Sequence, residues 1–388
     1  MRKIRLDHQR AQYEQETRKV VKAAAVASVP GAGLKPWRDV VRPHDDVARG
    51  EYNAAEFAAD LHLVATREGS AEYIQPVEFF RRTYLTESLR ELLHRAALRM
   101  SGDMNASPII NLQTNFGGGK THSMLAVYHL CSGTALTAYP QEVQDALAGI
   151  DLSRTGEIRR VTLVGTHLAP GTPSLKPDGT QVRTLWGELA WQLGGRAAYD
   201  LVAEADATAT NPGEALTTLL KAYAPCLILI DQWVAYARQL YGREDLPAGT
   251  FDTQFTFAQT LTEVVKGVPG ALLIISIPAS SDSDAGGSEL EVGGPNGRAA
   301  LERLQSVVRR VADPWRAASA IESFEIVRRR LFVEPDAAAK RDIAAVARQF
   351  VQFYAEHRGQ FPRQCGEIAF EARIRAAYPI HPELFDRL

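Results

Sequence analysis

Lys120 and Thr121 close a glycine-rich run, Asn115-Phe116-Gly117-Gly118-Gly119, and residues of these types in this order suit the binding of a phosphate chain. The glycines let the backbone bend until successive N–H groups converge on anionic oxygens, and a helix N-terminus adds its partial positive charge. Lys120 supplies a point charge for the β- and γ-phosphates, the Thr121 hydroxyl is a hard oxygen ligand for Mg²⁺, and His122 continues the same segment. Far downstream, Cys226-Leu227-Ile228-Leu229-Ile230 ends in Asp231. That is the pattern of a buried strand delivering a carboxylate to the C-terminal edge of a parallel sheet, where it orders Mg²⁺ through water. The expected ligands are ATP and Mg²⁺, with Thr121 and Asp231 as the metal-ordering pair.

The next position decides the chemistry. ATPases of this kind commonly carry glutamate there, to take a proton from the attacking water, whereas this chain has Gln232. An amide orients water but cannot accept its proton, so nucleotide binding is expected intact and turnover strongly reduced. The isosteric exchange is of the kind used to trap the ATP state, and it is read as engineered rather than natural. Ser276, at the end of Ala271-Leu272-Leu273-Ile274-Ile275, is the expected polar sensor of the γ-phosphate. Arg309 and Arg310 are the candidates for an arginine finger reaching a neighbouring subunit.

The elements that must hold these residues follow from periodicity. Ile109, Ile110 and Leu112 predict a strand before the glycine run, and Met124, Leu125, Val127, Tyr128 and Cys131 a helix after it. Further strands are expected over 160–165 and 271–277, and the stripe Leu89, Leu92, Leu93, Ala96, Ala97 and Met100 predicts a helix packed on the core. Residues 278–298 form a Ser/Asp/Gly tract with few apolar residues, too long for a passive connection and expected to be mobile and to order on a partner. The helix over 299–311 buries Leu301, Leu304, Val308 and Val311 and leaves its arginines off that face. Pro314-Trp315 leads toward a helix bearing Arg328, Arg329 and Arg330, one of which is a candidate reporter of nucleotide state, and the rest of the chain has helical stripes.

The 388 residues have a net charge of −2 and 45% hydrophobic content, which offers no global field for nucleic acid or anionic lipid. The three cysteines lack metal-ligand spacing, which favours buried thiols in a reducing compartment. There is no run of about 18 apolar residues, and a cytoplasmic protein without a membrane segment is expected.

Several segments together resemble a known family. LQTNFGGGKTHS (112–123), TLWGELAWQLGG (184–195), LILIDQWVAYARQL (227–240), LERLQSVVRR (301–310), EIVRRRLF (325–332) and YPIHPELFDRL (378–388), with PWRDVVRPHDDV (36–47) and FFRRTYLT (79–86), resemble the large prokaryotic AAA+ ATPases of the domain of unknown function 499 family. Thr114 in place of an opening glycine agrees with that family, while Gln232 departs from its LIDE. The resemblance implies an α/β fold, a P-loop AAA+ three-layer αβα sandwich around a parallel sheet at 106–316. A helical extension (1–34) and a helical segment (35–105) are expected before it, and a helical lid (317–388) after it, cut short inside the last motif as in an N-terminal fragment. It also implies protein partners of an antiphage defence complex (methyltransferase, helicase or nuclease) acting on DNA, while a homo-oligomer is what an arginine finger from Arg309 or Arg310 would require. Two other readings are a nucleotide-gated assembly scaffold without turnover and, less supported, a small-molecule kinase.

Overall fold

The computed structural model describes residues 34–50, 59–113, 119–153, 157–278, 292–309, 312–315 and 322–385. The chain divides into two compact units, Tyr52–Ser319 and a second that joins Met1–Glu51 to Ala320–Leu388.

The larger unit is mixed α/β. Its strands are β1 (Ile109–Leu112), β2 (Arg159–Val164), β3 (Ser174–Leu175), β4 (Gln181–Val182), β5 (Cys226–Asp231), β6 (Ala271–Ser276) and β7 (Asp313–Trp315). All but β3 and β4, which form a small antiparallel hairpin, belong to one parallel sheet of order β2-β5-β6-β1-β7. The inner strands β1, β5 and β6 are buried at every position, as a parallel sheet covered on both faces requires. The helices used below are α1 (Leu61–Thr66), α2 (Pro76–Arg82), α3 (Glu87–Met100), α4 (Lys120–Leu130), α5 (Leu185–Tyr199), α6 (Glu214–Tyr223), α7 (Trp233–Ala237), α8 (Phe251–Gly267) and α9 (Gly294–Val308).

Alternation along the strands sorts these helices into two layers. Ile110, Leu112, Leu227, Leu229, Leu272 and Ile274 pack with α1, α2, α3 and α4. Ile109, Val161, Leu163, Ile228, Ile230, Leu273 and Ile275 pack with α5, α6, α8 and α9. The crossover from β1 out to β2 therefore uses one face, and the crossovers that step back from β2 toward β7 use the other, as right-handed connections demand. Adjacent strands β1 and β6 send their chains to opposite faces, which makes the ends of β1 and β6 the topological switch point, the place where open α/β sheets bind their ligands.

Three local features hold this frame. Thr86 caps α3 by accepting from Leu89 N (3.0 Å), and the predicted apolar stripe of that helix is buried. Arg99 on the same helix is 1% exposed and donates to the carbonyls of Val265, Val268 and Ala271 (3.1, 2.9 and 3.0 Å), tying α3 to the end of α8 and the start of β6. At the outer edge of β2, the Gln192 amide accepts from Thr162 N (2.7 Å) and donates to Thr162 O (3.0 Å), standing in for a missing strand. Cys131 and Cys226 are buried as expected, and burial pushes both thiols up to about 12.

Two expectations are corrected here. Pro314-Trp315, read as a lead into a helix, lies in β7, with Leu112 opposite Trp315 and Asn111 opposite Pro314. Proline is tolerated there because an edge strand need not donate from both sides. Helix α9 begins at Gly294, inside the tract expected to be mobile through 298, whose residues 279–291 lie outside the described residues, and it ends at Val308 with Arg309 as its C-cap.

In the smaller unit, Val40 and Val41 share a core with Phe332, Ile343, Val346 and Tyr378, and Lys35 ion-pairs with Asp342 (2.8 Å). Residues from Lys35 onward were expected to lead into the sheet domain; these contacts instead join 34–50 to the C-terminal helices. Within this unit Arg328 pairs with Glu325 (2.5 Å) and Arg329 with Glu334 (2.5 Å), while Lys340 meets Glu334 from its other side (2.9 Å). Burial raises the Glu325 carboxyl above its ordinary range, while the hydrogen bond from Lys340 and the nearby arginines lower that of Glu334.

Candidate functional site

Asp231 ends β5, where the strand's apolar run stops at the C-terminal edge of the sheet. Its carboxylate is 2% exposed and fully engaged. Thr121 Oγ1 donates to Asp231 Oδ2 (2.7 Å), joining residues 110 positions apart in the chain. Ser276 Oγ donates to Asp231 Oδ1, and Gln232 N–H is shared between Asp231 Oδ1 (3.0 Å) and Ser276 Oγ (3.2 Å). The register explains the meeting: Leu112 lies opposite Ser276 and Val164 opposite Asp231, so β1, β2, β5 and β6 end in one row.

Helix α4 starts beside that row. Gly119 sits in the left-handed region (φ 75°) as its N-cap, and both the N–H and the hydroxyl of Ser123 bond to Gly119 O (2.9 and 2.8 Å). Lys120 is nine-tenths buried at the first position of the helix, and Thr121 follows on the side facing Asp231. Thr114, Asn115, Phe116, Gly117 and Gly118 lie outside the described residues, as does Arg310. His122, expected among the ligand-binding residues, is engaged elsewhere. Its Nε2 is 3.0 Å from Thr83 Oγ1 and its ring lies 4.6 Å from that of Phe79 on α2.

Gln232 has φ 54° and ψ 37°, a left-handed conformation that costs a side-chain-bearing residue on the order of 1–3 kcal/mol. Surrounding bonds enforce it. Gly165 N–H donates to Asp231 O (2.9 Å), and a Cβ on Gly165 would fall 2.1 Å from Gln232 O, so only glycine lets the end of β2 approach this closely. Thr166 Oγ1 then donates to Gln232 Oε1 (2.6 Å). This leaves the amide nitrogen and one lone pair of Oε1 as what Gln232 can offer to a ligand or water.

Arg309 is exposed, and its Nη2 donates to Gln305 Oε1 (3.2 Å) on its own helix. The structure thus brings Thr121, Asp231, Ser276 and Gln232 together, with Lys120 at the adjoining helix start. Sequence reasoning missed Gly165 and Thr166, which hold Gln232 from β2. The only signal for them was their place at the end of a strand.

The oxygen donors fit a hard divalent cation. A threonine hydroxyl has one donor and two lone pairs, so Thr121 can keep its bond to Asp231 while a lone pair faces Mg²⁺.

A family model described as the DUF499 N-terminal domain matches residues 34–314. The chain belongs to the DUF499 family. That match takes in β1 through β6 and every described residue of the candidate site in this DUF499 chain. No curated protein matches it. Among the described residues no helix is long and apolar enough to cross a membrane.

Proposed function

We propose that this DUF499 chain is an ATP-binding module of AAA+ type, an ATPase whose turnover is impaired by Gln232. The observation that carries the reading is the Thr121–Asp231 hydrogen bond, which couples the first turn of α4 to the end of β5. A hydroxyl and a carboxylate held together beside a lysine at a helix N-terminus, in the crevice of a parallel sheet, match the needs of a nucleoside triphosphate with its cation. The covering of the sheet on both faces supports the αβα sandwich, and the position of the 114–119 loop directly after β1 supports a phosphate cradle.

In this reading Lys120 and the amides of the 114–119 loop bind phosphate oxygens, and Thr121 and Asp231 hold the cation. Mg²⁺, when bound, neutralises charge on the β- and γ-phosphates. Ser276 fixes the Asp231 carboxylate and senses the γ-phosphate, and Gln232 orients water without accepting its proton. Arg309 and Arg310 serve a neighbouring copy. The family resemblance extends the proposal to a cytoplasmic, DNA-directed antiphage complex with a methyltransferase, helicase or nuclease. The amide at position 232 favours a second reading, in which bound ATP fixes an assembly without turnover.

Titration with a fluorescent ATP analogue and Mg²⁺ tests the binding. Lys120→Ala is expected to weaken it about 100-fold, and failure of the unaltered chain to bind overturns both readings. Single-turnover hydrolysis then separates them. The ATPase reading expects Gln232→Glu to raise the rate at least about 100-fold, whereas an unchanged rate leaves the scaffold.

A further inference from the structure

The side chain of Gln232 is held by Thr166, and Thr166 sits in a turn whose outer wall comes from outside the sheet. His167 N–H donates to Val164 O (2.9 Å), closing the turn after β2, and Gly165 beneath it has no side chain to pack. What stiffens the turn is His167. Its ring stacks on His62 of α1, with centroids 4.3 Å apart and planes 17° from parallel, and its Nε2 lies 3.6 Å from Asp60 Oδ2. Asp60 is locked to the same helix, its Oδ1 capping α1 by accepting from His62 N (2.8 Å) and Leu63 N (3.1 Å). The helix itself is anchored by Leu61 and Val64, 1% and 3% exposed in the core shared with α4.

The geometry points to Asp60 and His62 as positioning residues for the Gln232 side chain, acting through His167 and Thr166. This rests on the ATPase reading, in which the residue at 232 orients the attacking water. The chain of contacts runs from the α1 cap to the His62–His167 stack, then one residue back to Thr166, and from its hydroxyl to Gln232 Oε1 (2.6 Å). Without the stack the His167 ring loses its flat support and keeps only the longer contact to Asp60, the turn loosens about its glycine, and the side chain at 232 regains rotamer freedom. Reactions that depend on a placed water lose rate when that placement loosens, even where substrate binding is untouched.

The test uses the full chain in two forms. In the Gln232→Glu background, His62→Ala is expected to lower the single-turnover rate about tenfold while leaving the MgATP dissociation constant unchanged. His62→Phe, which keeps a flat ring to stack on, should restore the rate. An unchanged rate, an equal loss of binding, or no rescue by phenylalanine overturns the proposal. The second form reads position 232 without activity. In the unaltered chain, labelled with ¹⁵N-glutamine, the side-chain amide signals of Gln232 are identified by their loss in Gln232→Glu. They should shift and broaden in His62→Ala and return in His62→Phe, and signals indifferent to both changes overturn the brace. If Gln232→Glu binds ATP and does not hydrolyse it while these signals respond, the ATPase reading fails and the brace stands.

Discussion

Two buried aspartates in the larger unit, Asp206 and Asp231, are 0% and 2% exposed, yet their donors come from different distances along the chain. Asp206 accepts from Arg183 N, Thr184 N, Thr184 Oγ1 and Tyr199 OH, all within 23 residues of it. A Cβ on Gly187 would come 2.2 Å from its Oδ1, so even the approach of α5 is fitted to the carboxylate. Asp231 has one main-chain donor, Gln232 N, and its two hydroxyl donors, Thr121 and Ser276, arrive on α4 and β6 from 110 and 45 residues away. The two main-chain donors of Asp206 cannot turn away, whereas Asp231 depends chiefly on hydroxyls, which have lone pairs to offer a cation and can exchange partners. The first arrangement pins a hairpin to a helix. The second is a carboxylate kept ready at the sheet's edge.

The comparison predicts a separation of stability from binding. Asp206→Ala leaves several buried donors without acceptors and should destabilise the unit by roughly 4 kcal/mol in urea unfolding, with ATP affinity of the folded molecules unchanged. A loss under 1 kcal/mol would erase the distinction. A buried imidazole sharpens it by pH. His129 on α4 donates Nε2–H to Tyr73 O (2.7 Å), and burial lowers its pKa to about 4. The unfolded imidazole, near 6.5, binds its proton first, so the stabilisation is complete above pH 6.5 and is lost as pH falls toward 4. The loss should be on the order of 3 kcal/mol, and His129→Gln, which retains a donor, should flatten that part of the stability–pH curve.

Smaller effects follow. Tyr199→Phe removes one bond to Asp206 and should cost about 1 kcal/mol by the same unfolding measurement. The Tyr199 phenol, pushed up to about 12 by burial and by Asp206, remains a donor throughout the useful pH range. Asp231→Asn should change stability least, by less than about 1 kcal/mol, since an amide still accepts from Gln232 N and Ser276 while donating to Thr121. The same variant should abolish the dependence of ATP binding on Mg²⁺, measured by titration with and without the cation. A large destabilisation with Mg²⁺ dependence retained would make Asp231 another Asp206.

Much of the site could be read in the sequence because its parts sit where local patterns end. Asp231 follows an apolar run, Ser276 ends another, and Lys120-Thr121 opens a helix, so strand and helix boundaries name them. The missed fifth strand, β7, is a proline-bearing triplet without alternation, held by pairing with β1 and by Trp315, which is buried in the core and donates its indole N–H to Ser88 O on α3. Arg99 reads as an ordinary helical arginine, yet it is enclosed by carbonyls from residues 265–271. Gln192 likewise gave no sign that its amide would close the edge of β2.

By itself the sequence determined the chemical inventory and the periodicity: a phosphate-loop pattern, a carboxylate at a strand's end, an amide at the base position, and which helix faces are apolar. The tertiary structure alone decided which groups meet. Strand register set the row of ends that places Ser276 on Asp231, and right-handed crossovers put α4 on the face where Thr121 reaches the same carboxylate. The close approach at Gly165 carried Thr166 to Gln232, and the packing of α1 brought His62 against His167. Residue types depend on local chemistry, whereas these meetings depend on how separate elements bury their apolar faces together.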